Sequence, residues 1–290
     1  MQIEFKPLSP HIGSAVLNFN LSETLKKDDL KQIDDQFNHR GVLVFRNQNL
    51  NERQHIDFSK YFGSLEIHVL KQYLLPENPE ILLISNVQKD GINIGVSDAG
   101  QYWHTDLSYM THPSRCSILL SKLIPDPQGE KTFGDTCFIS TTAAYEALDE
   151  ETKNRLQNLK ARHSYSARYA KLQEGGKSTR PPLTEEQKKQ VPEVVHPVIR
   201  THPMTGKKSI YVNEGFTTEI LDLPTAESKK LLEHLYEHCQ SEDFMYRHQW
   251  QVGDVLMWDN CSTQHLAIPD YGLEQHRLMH RTTVQGSAVF

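Results

Sequence analysis

The runs DVLMWD (254–259) and RLMHRTTVQ (277–285) are short, apolar and rich in residues that favour β-strands. They end a series of such runs that begins near residue 102, with turn signals such as 125–129 (PDPQG) between them. The earlier runs are WHTDLSYM (103–110), CSILLSKLI (116–124), DTCFIS (135–140), VIRTHP (198–203) and KKSIYVN (207–213). Many short strands at close spacing predict an α+β, strand-rich fold, a double-stranded β-helix (jelly roll) with flanking helices.

Helical patterns lie before and between these strand runs. Residues 22–39 predict a helix with Ser22 as its N-cap, and residues 51–63 predict a second helix that ends at Gly63. The other predicted elements are helices at 142–159 and 226–239 and strands at 41–47 and 81–87.

The segment 171–193 is polar and rich in Pro, Gly and charge. Strand patterning resumes directly after it, so it predicts a surface loop or a lid and not a linker between domains. We therefore expect a single domain over residues 1–290, a length near the upper edge for one hydrophobic core.

Composition excludes several classes of protein. The 290 residues are 37% hydrophobic and 23% charged, with a net charge of -6 spread along the chain, so no basic face for nucleic acid is expected. No apolar run approaches the roughly 18 residues of a membrane span. The start, MQIEFKPLSPHIG, lacks the pattern of a secretory signal, and four scattered cysteines without a C-x-x-C pair predict reduced thiols. We therefore expect a cytoplasmic protein.

The first motif with chemical meaning is Trp103-His104-Thr105-Asp106. On an extended strand, residues i and i+2 project from the same face, so His104 and Asp106 would present a nitrogen and an oxygen to one metal ion. The motif alone is weak evidence, because a chain with 15 histidines contains such a spacing by chance.

A third ligand candidate, His265, lies far along the chain, after the polar turn Trp258-Asp259-Asn260. In a barrel, a strand from the opposite half can bring it to the first two residues. Two histidines and one carboxylate on one face form the facial triad of non-haem Fe(II) oxygenases, which leaves coordination positions for oxygen and a cosubstrate.

Arg277 and Arg281 follow His265 at a spacing of four, so both face the same side of a strand. An inward-facing guanidinium is costly unless it meets an anion, and its planar fork suits a carboxylate or a sulfonate. Two arginines at this spacing therefore indicate anionic ligands beside the metal.

The chain resembles the TauD/TfdA family of 2-oxoglutarate-dependent dioxygenases over nearly all of its length. The similar segments are FGSLEIH (62–68), WHTDLSYM (103–110), GDTCFIS (134–140), AAYEAL (143–148), HPVIRTHPMTGK (196–207), VNEGFTT (212–218) and residues 258–281, with ISNV (84–87) and YRHQWQVGDVLMWDN (246–260) closer to the 2,4-D branch of the family. The resemblance implies Fe(II), 2-oxoglutarate and O2, with hydroxylation of a substrate coupled to formation of succinate and CO2. It also implies a homo-oligomer, a dimer or a tetramer.

The resemblance assigns the catalytic centre residue by residue. His104, Asp106 and His265 correspond to the iron ligands of the family. Arg277 and Thr136 correspond to the residues that bind the distal carboxylate of 2-oxoglutarate, so Arg277 joins the three ligands as an expected catalytic residue.

The resemblance also assigns a substrate pocket. His68 and Arg281 match the positions that meet the acidic head of the substrate. Phe216 and Tyr169 match aromatic positions that line the pocket. The expected substrate is small and anionic; from a sulfonate such as taurine or an amine-free analogue, the reaction would release sulfite and an aldehyde.

Two departures from the family pattern bear on the substrate. Lys71 and Arg168 stand where the taurine branch has a tyrosine and a small polar residue. Two cations near the pocket would disfavour the ammonium group of taurine, because desolvation makes like charges costlier. We therefore expect an alkylsulfonate, a sulfate ester or an aryloxyalkanoate without a free amine. The alternative is that Lys71 and Arg168 are solvated.

A protein of another class with the same fold is the rival hypothesis: a catalytically silent or zinc-loaded jelly-roll protein that binds an anion. The open triad and the two arginines favour the dioxygenase, since a closed structural site would supply a fourth protein ligand. Visible absorption of the anaerobic Fe(II) protein with 2-oxoglutarate would separate the two hypotheses.

Overall fold

The computed structural model describes residues 2–129, 131–174 and 181–290. Within these ranges the α-helices are α1 (Lys27–Arg40), α2 (Glu52–Lys60), α3 (Thr141–Glu146), α4 (Glu150–Leu156), α5 (Tyr165–Glu174), α6 (Glu185–Gln190) and α7 (Thr225–Cys239), with 3-10 turns at Lys71–Tyr73 and Glu242–Phe244. Among these described helices, none combines the length and the apolar character that crossing a membrane requires.

The strands of the described ranges build two main sheets. In chain order they are β1 (Glu4–Pro7), β2 (Ser14–Leu17), β3 (Val42–Phe45), β4 (Leu74–Leu75), β5 (Asn78–Ser85), β6 (Gln88–Lys89), β7 (Ile92–Asn93), β8 (Cys116–Leu123), β9 (Thr136–Ser140), β10 (Lys160–His163), β11 (Val194–Pro197), β12 (Ile199–Thr201), β13 (Lys208–Ile210), β14 (Thr217–Ile220), β15 (Met245–His248), β16 (Val255–Asp259), β17 (Thr263–Ala267) and β18 (Leu278–Val284). The large sheet has the order β1-β2-β3-β16-β8-β18-β5-β4, and the small sheet has the order β15-β9-β17. Their pairings are antiparallel, except that β2 and β3 run parallel.

The two sheets pack face to face around a buried apolar layer. Phe138 of β9 lies against Trp258 of β16, with 5.7 Å between ring centroids, and Leu119 of β8 belongs to the same cluster. Its neighbours Ile118 and Leu120 point to the opposite face of the large sheet, as the alternation of strand side chains requires. Each large apolar side chain in such a layer contributes about 1.5–3 kcal/mol. This arrangement confirms the predicted jelly roll.

Helices cover the outer faces of both sheets. Ile33 and Phe37 of α1 and Phe58 of α2 pack on the large sheet, where Phe45 and Phe58 meet edge to face at 5.7 Å between centroids. On the other side, α3 and α7 cover the small sheet through a separate buried cluster. The layer between the sheets reaches the candidate site, where Leu119, Phe138 and Trp258 line a cavity together with His265.

Two helix predictions differ from the structure. The first helix begins at Lys27, and Ser22 does not cap it, because Ser22 instead donates from its backbone and side chain to Asn20 Oδ1 in the preceding turn. The predicted helix 142–159 is divided into α3 and α4, since Asp149 accepts a hydrogen bond from Thr152 N and starts a new helix there.

Two extended or irregular segments also differ. The run 103–110 is not a strand: His104 makes a single β-bridge, and the chain then turns, with Leu107 at φ 54°. The expected loop or lid at 171–193 contains the end of α5 and all of α6, whereas its residues 175–180 lie outside the described part of the chain. Helix α6 forms because Thr184 and Gln187 make a capping box.

Candidate active site

His104 and His265 face each other across the open end of the inner layer. Strand β17, held by β9, carries His265. His104 N donates to His265 O at 3.1 Å, and His265 N donates to His104 O at 2.9 Å, so the two residues form a hydrogen-bonded antiparallel pair. Their ring centroids are 4.0 Å apart. The pairing brings together two histidines that are distant in sequence.

Asp106 completes the group. Its Oδ1 lies 3.4 Å from His104 Nε2, and one ligand atom from each of the three residues lies within 4.8 Å of the others. All three side chains are buried. The predicted i, i+2 relationship on a strand is wrong, but the turn that begins at Asp106 points its carboxylate to the same place.

The protonation states of His265 and Asp106 suit a divalent cation. His104 Nδ1 lies 2.9 Å from Tyr102 O and donates to it, so Nε2 is the ring nitrogen that faces Asp106 Oδ1. Burial, followed by the neighbouring His104, holds the pKa of His265 well below its ordinary value, so its ring is neutral at pH 7. Burial opposes ionisation of Asp106, but the charge of Arg281 and a hydrogen bond from His104 outweigh it and hold the pKa of Asp106 well below its usual range.

These residues fit Fe(II). Two neutral imidazoles and one carboxylate are the donor set that non-haem iron prefers. The Nδ1 atom of His265 is buried and has no hydrogen-bond partner within the part of the chain that the structure describes. Buried polar atoms without partners are rare unless water or an ion is bound nearby.

A first cavity next to the triad fits 2-oxoglutarate. It contains about 420 Å³ of space, part of it open to solvent, and His104, His265, Thr136 and Arg277 are among its lining residues. Arg277 is buried, its Nε has no hydrogen-bond partner among the described residues, and burial lowers its pKa. Thr136 Oγ1 accepts a hydrogen bond from Trp250 Nε1 at 3.0 Å, which leaves its proton for an anion. A carboxylate would satisfy both groups.

The backbone of Arg277 is held by residues to which the sequence assigned no role. Its N–H donates to Asn86 Oδ1 at 2.8 Å, and its carbonyl accepts from Ser85 Oγ at 2.8 Å. A Cβ added to Gly134 would lie 3.1 Å from Arg277 Cδ and Nε, so the glycine leaves room for the guanidinium. The motif ISNV (84–87) was a signal for these contacts, because it places the polar residues Ser85 and Asn86 at the end of an apolar strand.

A second cavity shares His104 and Arg281 with the first and fits the substrate. It encloses about 450 Å³ of space, part of it open to solvent, and His68 and Phe216 line it as expected. The other walls are aromatic or aliphatic: Tyr102, Tyr109, Tyr165, Leu70, Leu82, Ile84, Val96 and Leu107. Among the described residues that line it, Asp106 is the only carboxylate.

Three of the residues predicted for the substrate stand outside this lining. Tyr169 packs behind Tyr165, with 5.8 Å between ring centroids, and its hydroxyl donates to Pro181 O. Arg168 stacks on the ring of Tyr102, with its Cζ 3.5 Å from the ring centroid. Lys71 is exposed on a 3-10 turn, because a solvated ammonium has a lower free energy than a buried one. The expectation that Lys71 enters the pocket is therefore not met.

The aromatic walls that sequence reasoning missed are Tyr102, Tyr109 and Tyr165. Tyr109 and Phe216 meet at 4.7 Å between centroids, and Tyr109 and Tyr165 meet at 4.6 Å. Tyr102 lies two residues before His104 and Tyr109 three residues after Asp106, which was the available signal. Tyr165 lies one helical turn before Tyr169 on α5, so the residue that lines the cavity is four positions before the one that was expected there.

A glycine lets the aromatic wall approach His104. A Cβ on Gly215 would lie 2.7 Å from His104 Cβ and 2.8 Å from the Tyr102 ring. Gly215 N also donates to Trp103 O at 3.0 Å, which joins the Phe216 segment to the ligand segment. A larger residue here would displace His104.

A second group of ligand-type side chains, His202, Asp259 and Cys261, lies in the protein interior. His202 Nε2 donates to Asp259 Oδ2 at 3.1 Å, whereas its Nδ1 accepts from the backbone N–H groups of Met204 and Thr205. Both ring nitrogens are thus engaged with protein atoms. The group therefore fixes the loop after β12 and is not a metal site.

The comparisons with known proteins place the chain in one family. The family model described as taurine catabolism dioxygenase TauD, TfdA family, matches residues 4–283. The alpha-ketoglutarate-dependent 2,4-dichlorophenoxyacetate dioxygenase of Cupriavidus pinatubonensis is 32% identical over all of both chains, and the alkylsulfatase of Acinetobacter baylyi is 32% identical over 98% of this chain and 86% of that one. The solved structure of AAD-2 in complex with Mn(II) and N-oxalylglycine has a TM-score of 0.81 at 28% identity, covering 100% of this chain and 99% of that one.

The fold and the family match define a 2-oxoglutarate-dependent non-haem iron dioxygenase, an enzyme class that uses Fe(II), 2-oxoglutarate and O2. Within that class, the chain belongs to the TauD/TfdA family. The predicted fold, reaction class and cofactors are therefore confirmed.

Proposed function

We propose that the enzyme oxidises a small anionic substrate that carries no free amine: an alkylsulfonate, an alkyl sulfate ester or an aryloxyalkanoate. In this proposal His104, Asp106 and His265 hold Fe(II), and Arg277 with Thr136 binds 2-oxoglutarate. Arg281 and His68 bind the anionic head of the substrate, and Phe216 lines its path.

The composition of the second cavity carries the proposal. Its charged lining residues among those described are Arg281 and Asp106, together with two histidines, and the rest of its wall is largely aromatic or aliphatic. A substrate ammonium would lose its hydration without meeting a free carboxylate, because Asp106 is engaged by Arg281 and faces the triad. An anionic head with an apolar tail matches both parts of the cavity. Two relatives, the 2,4-dichlorophenoxyacetate dioxygenase and the alkylsulfatase, are named for substrates of this kind.

The roles of the protein groups follow from their positions. When bound, Fe(II) supplies the activation of O2 that couples decarboxylation of the keto acid to oxidation of a C–H bond. Arg277 neutralises the far carboxylate of the keto acid, and the Thr136 hydroxyl donates to it. Arg281 orients the substrate anion so that the adjacent carbon faces the triad, and the aromatic walls keep water away. A sulfonate hydroxylated on that carbon then expels sulfite and leaves an aldehyde.

A substrate panel tests the proposal. Taurine and ethanesulfonate form a matched pair that differs by the amine, and hexyl sulfate and phenoxyacetate represent the other two classes. Succinate formation should be faster with ethanesulfonate, hexyl sulfate or phenoxyacetate than with taurine. Taurine as the clearly best substrate would contradict the proposal. If the Fe(II) protein forms no succinate with any substrate of the panel, the catalytically silent or zinc-loaded alternative would be favoured.

We further propose that residues 1–290 act as one domain in the cytoplasm and form a homo-oligomer, a dimer or a tetramer. The four cysteines are buried and unpaired, which is typical of a reducing compartment and supports the location. The oligomer rests on the family resemblance. Light scattering during size-exclusion chromatography would measure it, and a monomeric mass would exclude it.

A further inference from the structure

Ser117 contacts the carboxylate of Asp106 from inside the jelly roll. Ser117 lies on β8, on the same face as Leu119, and is fully buried. Its hydroxyl donates to Asp106 Oδ2 at 2.7 Å. The other carboxylate oxygen, Oδ1, faces His104 Nε2 at 3.4 Å. The two oxygens of Asp106 thus have different surroundings.

Asn260 supports this contact from the turn between β16 and β17. Its Nδ2 donates to Ser117 Oγ at 3.2 Å and to Ser114 Oγ at 2.9 Å. Ser114 Oγ in turn donates to the backbone carbonyl of Asp106 at 3.0 Å. Asn260, Ser114 and Ser117 are each no more than 1% exposed, so water does not compete for these bonds.

The direction of every bond in this relay is fixed. An ionised carboxylate and a carbonyl only accept hydrogen bonds, so Ser117 and Ser114 must both donate to Asp106. Each hydroxyl has a single proton, and each can then only accept from its other neighbour. The amide of Asn260 supplies the two N–H groups that this arrangement needs.

A second contact joins the stretch with His104 and Asp106 to the strand that carries His265. Thr105, between His104 and Asp106, donates from Oγ1 to Thr263 O at 2.8 Å, and Thr263 starts the strand that carries His265. The contacts of Asn260 in the turn and of Thr263 at the start of β17 therefore link the stretch with His104 and Asp106 to the strand with His265.

We infer that Asn260, Ser114 and Ser117 are positioning residues that hold Asp106 as a single-oxygen ligand. With Oδ2 bonded to Ser117, Oδ1 alone is directed at the metal position. A carboxylate that bound through both oxygens would occupy one of the positions that the keto acid and O2 require. This inference rests on the proposed function, because it presumes a metal at His104, Asp106 and His265.

The relay matters most when substrate is bound. In the structure, Asp106 Oδ2 accepts from both Ser117 and Arg281. A substrate anion would compete for the Arg281 guanidinium. Ser117 then becomes the remaining described donor to Oδ2, and its loss would leave a buried charged oxygen unsatisfied.

The test is an anaerobic titration of the full-length apoprotein with Fe(II) and with Co(II), comparing Ser117→Ala with Ser121→Ala. Ser121 lies on the same face of β8, is equally buried, and donates to Gln251 O, away from the triad. Removing a hydrogen-bonding group that orients a metal ligand typically weakens metal binding by about 10–100-fold. We expect that loss for Ser117→Ala, a smaller loss for Asn260→Ala, and a Kd within about twofold of the parent for Ser121→Ala.

A second readout is the ratio of succinate to oxidised substrate at saturating metal, which should rise above the parent value in Ser117→Ala and stay at it in Ser121→Ala. If Ser117→Ala does not fold, Ser117→Thr and Ser117→Val form an equal-shaped pair in which only threonine keeps the hydroxyl. Metal affinity that is equal in that pair, or equal in Ser117→Ala and the parent, overturns the inference and leaves the proposed function intact. Failure of the parent to bind either metal more tightly than Asp106→Ala would instead refute the proposed function.

Discussion

The guanidinium of Arg281 contacts both carboxylate oxygens of Asp106: Nη1 lies 3.1 Å from Oδ1 and 3.2 Å from Oδ2. One of these residues is a proposed metal ligand, and the other is the proposed anchor for the substrate anion. Because both side chains are largely buried, their interaction is weakly screened. The contact connects the proposed metal position to the substrate cavity. Arg277 lines only the keto-acid cavity, so substitutions of Arg281 and Arg277 should have different effects.

Arg281→Met should impair substrate binding and spare the keto acid. Truncating one partner of a buried charge pair costs about 2–5 kcal/mol, so KM for an anionic substrate should rise by roughly 30-fold or more. The Kd for 2-oxoglutarate should change by less than about threefold, because Arg277 is retained. Steady-state kinetics measure the KM for the substrate, and a titration of the protein with 2-oxoglutarate measures the Kd.

Arg277→Met should give the opposite pattern. The KM for 2-oxoglutarate should rise by roughly 30-fold or more, because a carboxylate would be left without its cation in a buried site. The KM for the anionic substrate should be nearly unchanged when the keto acid is saturating. If the two variants give the same pattern, the assignment of the two cavities is wrong.

Asp106→Ala should abolish metal binding and turnover together. The change removes the negatively charged ligand and leaves the cation of Arg281 unpaired, and several kcal/mol of lost metal chemistry correspond to roughly three orders of magnitude in kcat/KM. Equilibrium dialysis with Fe(II) and succinate formation measure the two effects, and circular dichroism checks the fold. Unchanged iron loading would mean that the metal lies elsewhere.

Acid should destabilise the protein through buried histidines that the reaction does not use. Burial lowers the pKa of His55 to about 3, that of His163 to about 3 and that of His280 to about 4. The unfolded chain takes up these protons near pH 6.5 and the folded chain does not, so stability is full above about pH 6.5 and falls toward pH 4. Each group contributes at most about 1.4 kcal/mol per pH unit.

A matched pair of variants tests this pH dependence. His55→Gln keeps a donor for Ile118 O, with which His55 Nε2 is paired at 3.3 Å, and should flatten the slope of unfolding free energy against pH by up to one proton. His39→Gln makes the same change of side chain at an exposed position and serves as the control. Urea unfolding between pH 4.5 and 7.5 gives the slopes. Identical slopes in all three proteins would contradict the prediction.

Much of the fold was readable from the sequence because strand runs such as 116–124 and 254–259 alternate or cluster apolar residues in ways that local rules capture. The start of α1 was not predicted correctly, because Ser22 could either cap a helix or form a turn with Asn20, and in the structure it forms the turn. The division between α3 and α4 depends on Asp149, which caps α4. The residues on both sides of Asp149 have a helical pattern, so the sequence predicts one continuous helix.

The site was readable where ligand chemistry is encoded by residue type. His104 and Asp106 were found for a partly incorrect reason, since the chain turns after a single bridge and does not continue as a strand. The tyrosine walls and the Ser117–Asn260 relay were not found, because tyrosines and serines are common and their roles arise only when distant segments meet. Lys71 shows the converse: a charge near a motif in sequence is still free to turn toward solvent.

The two cavities have His104 and Arg281 in common. A molecule in either one therefore contacts side chains that also line the other, and the affinities of keto acid and substrate should be thermodynamically linked, each changing the other by the same factor. An inhibitor that imitates the keto acid will then report, through its strength, whether the neighbouring compartment is filled.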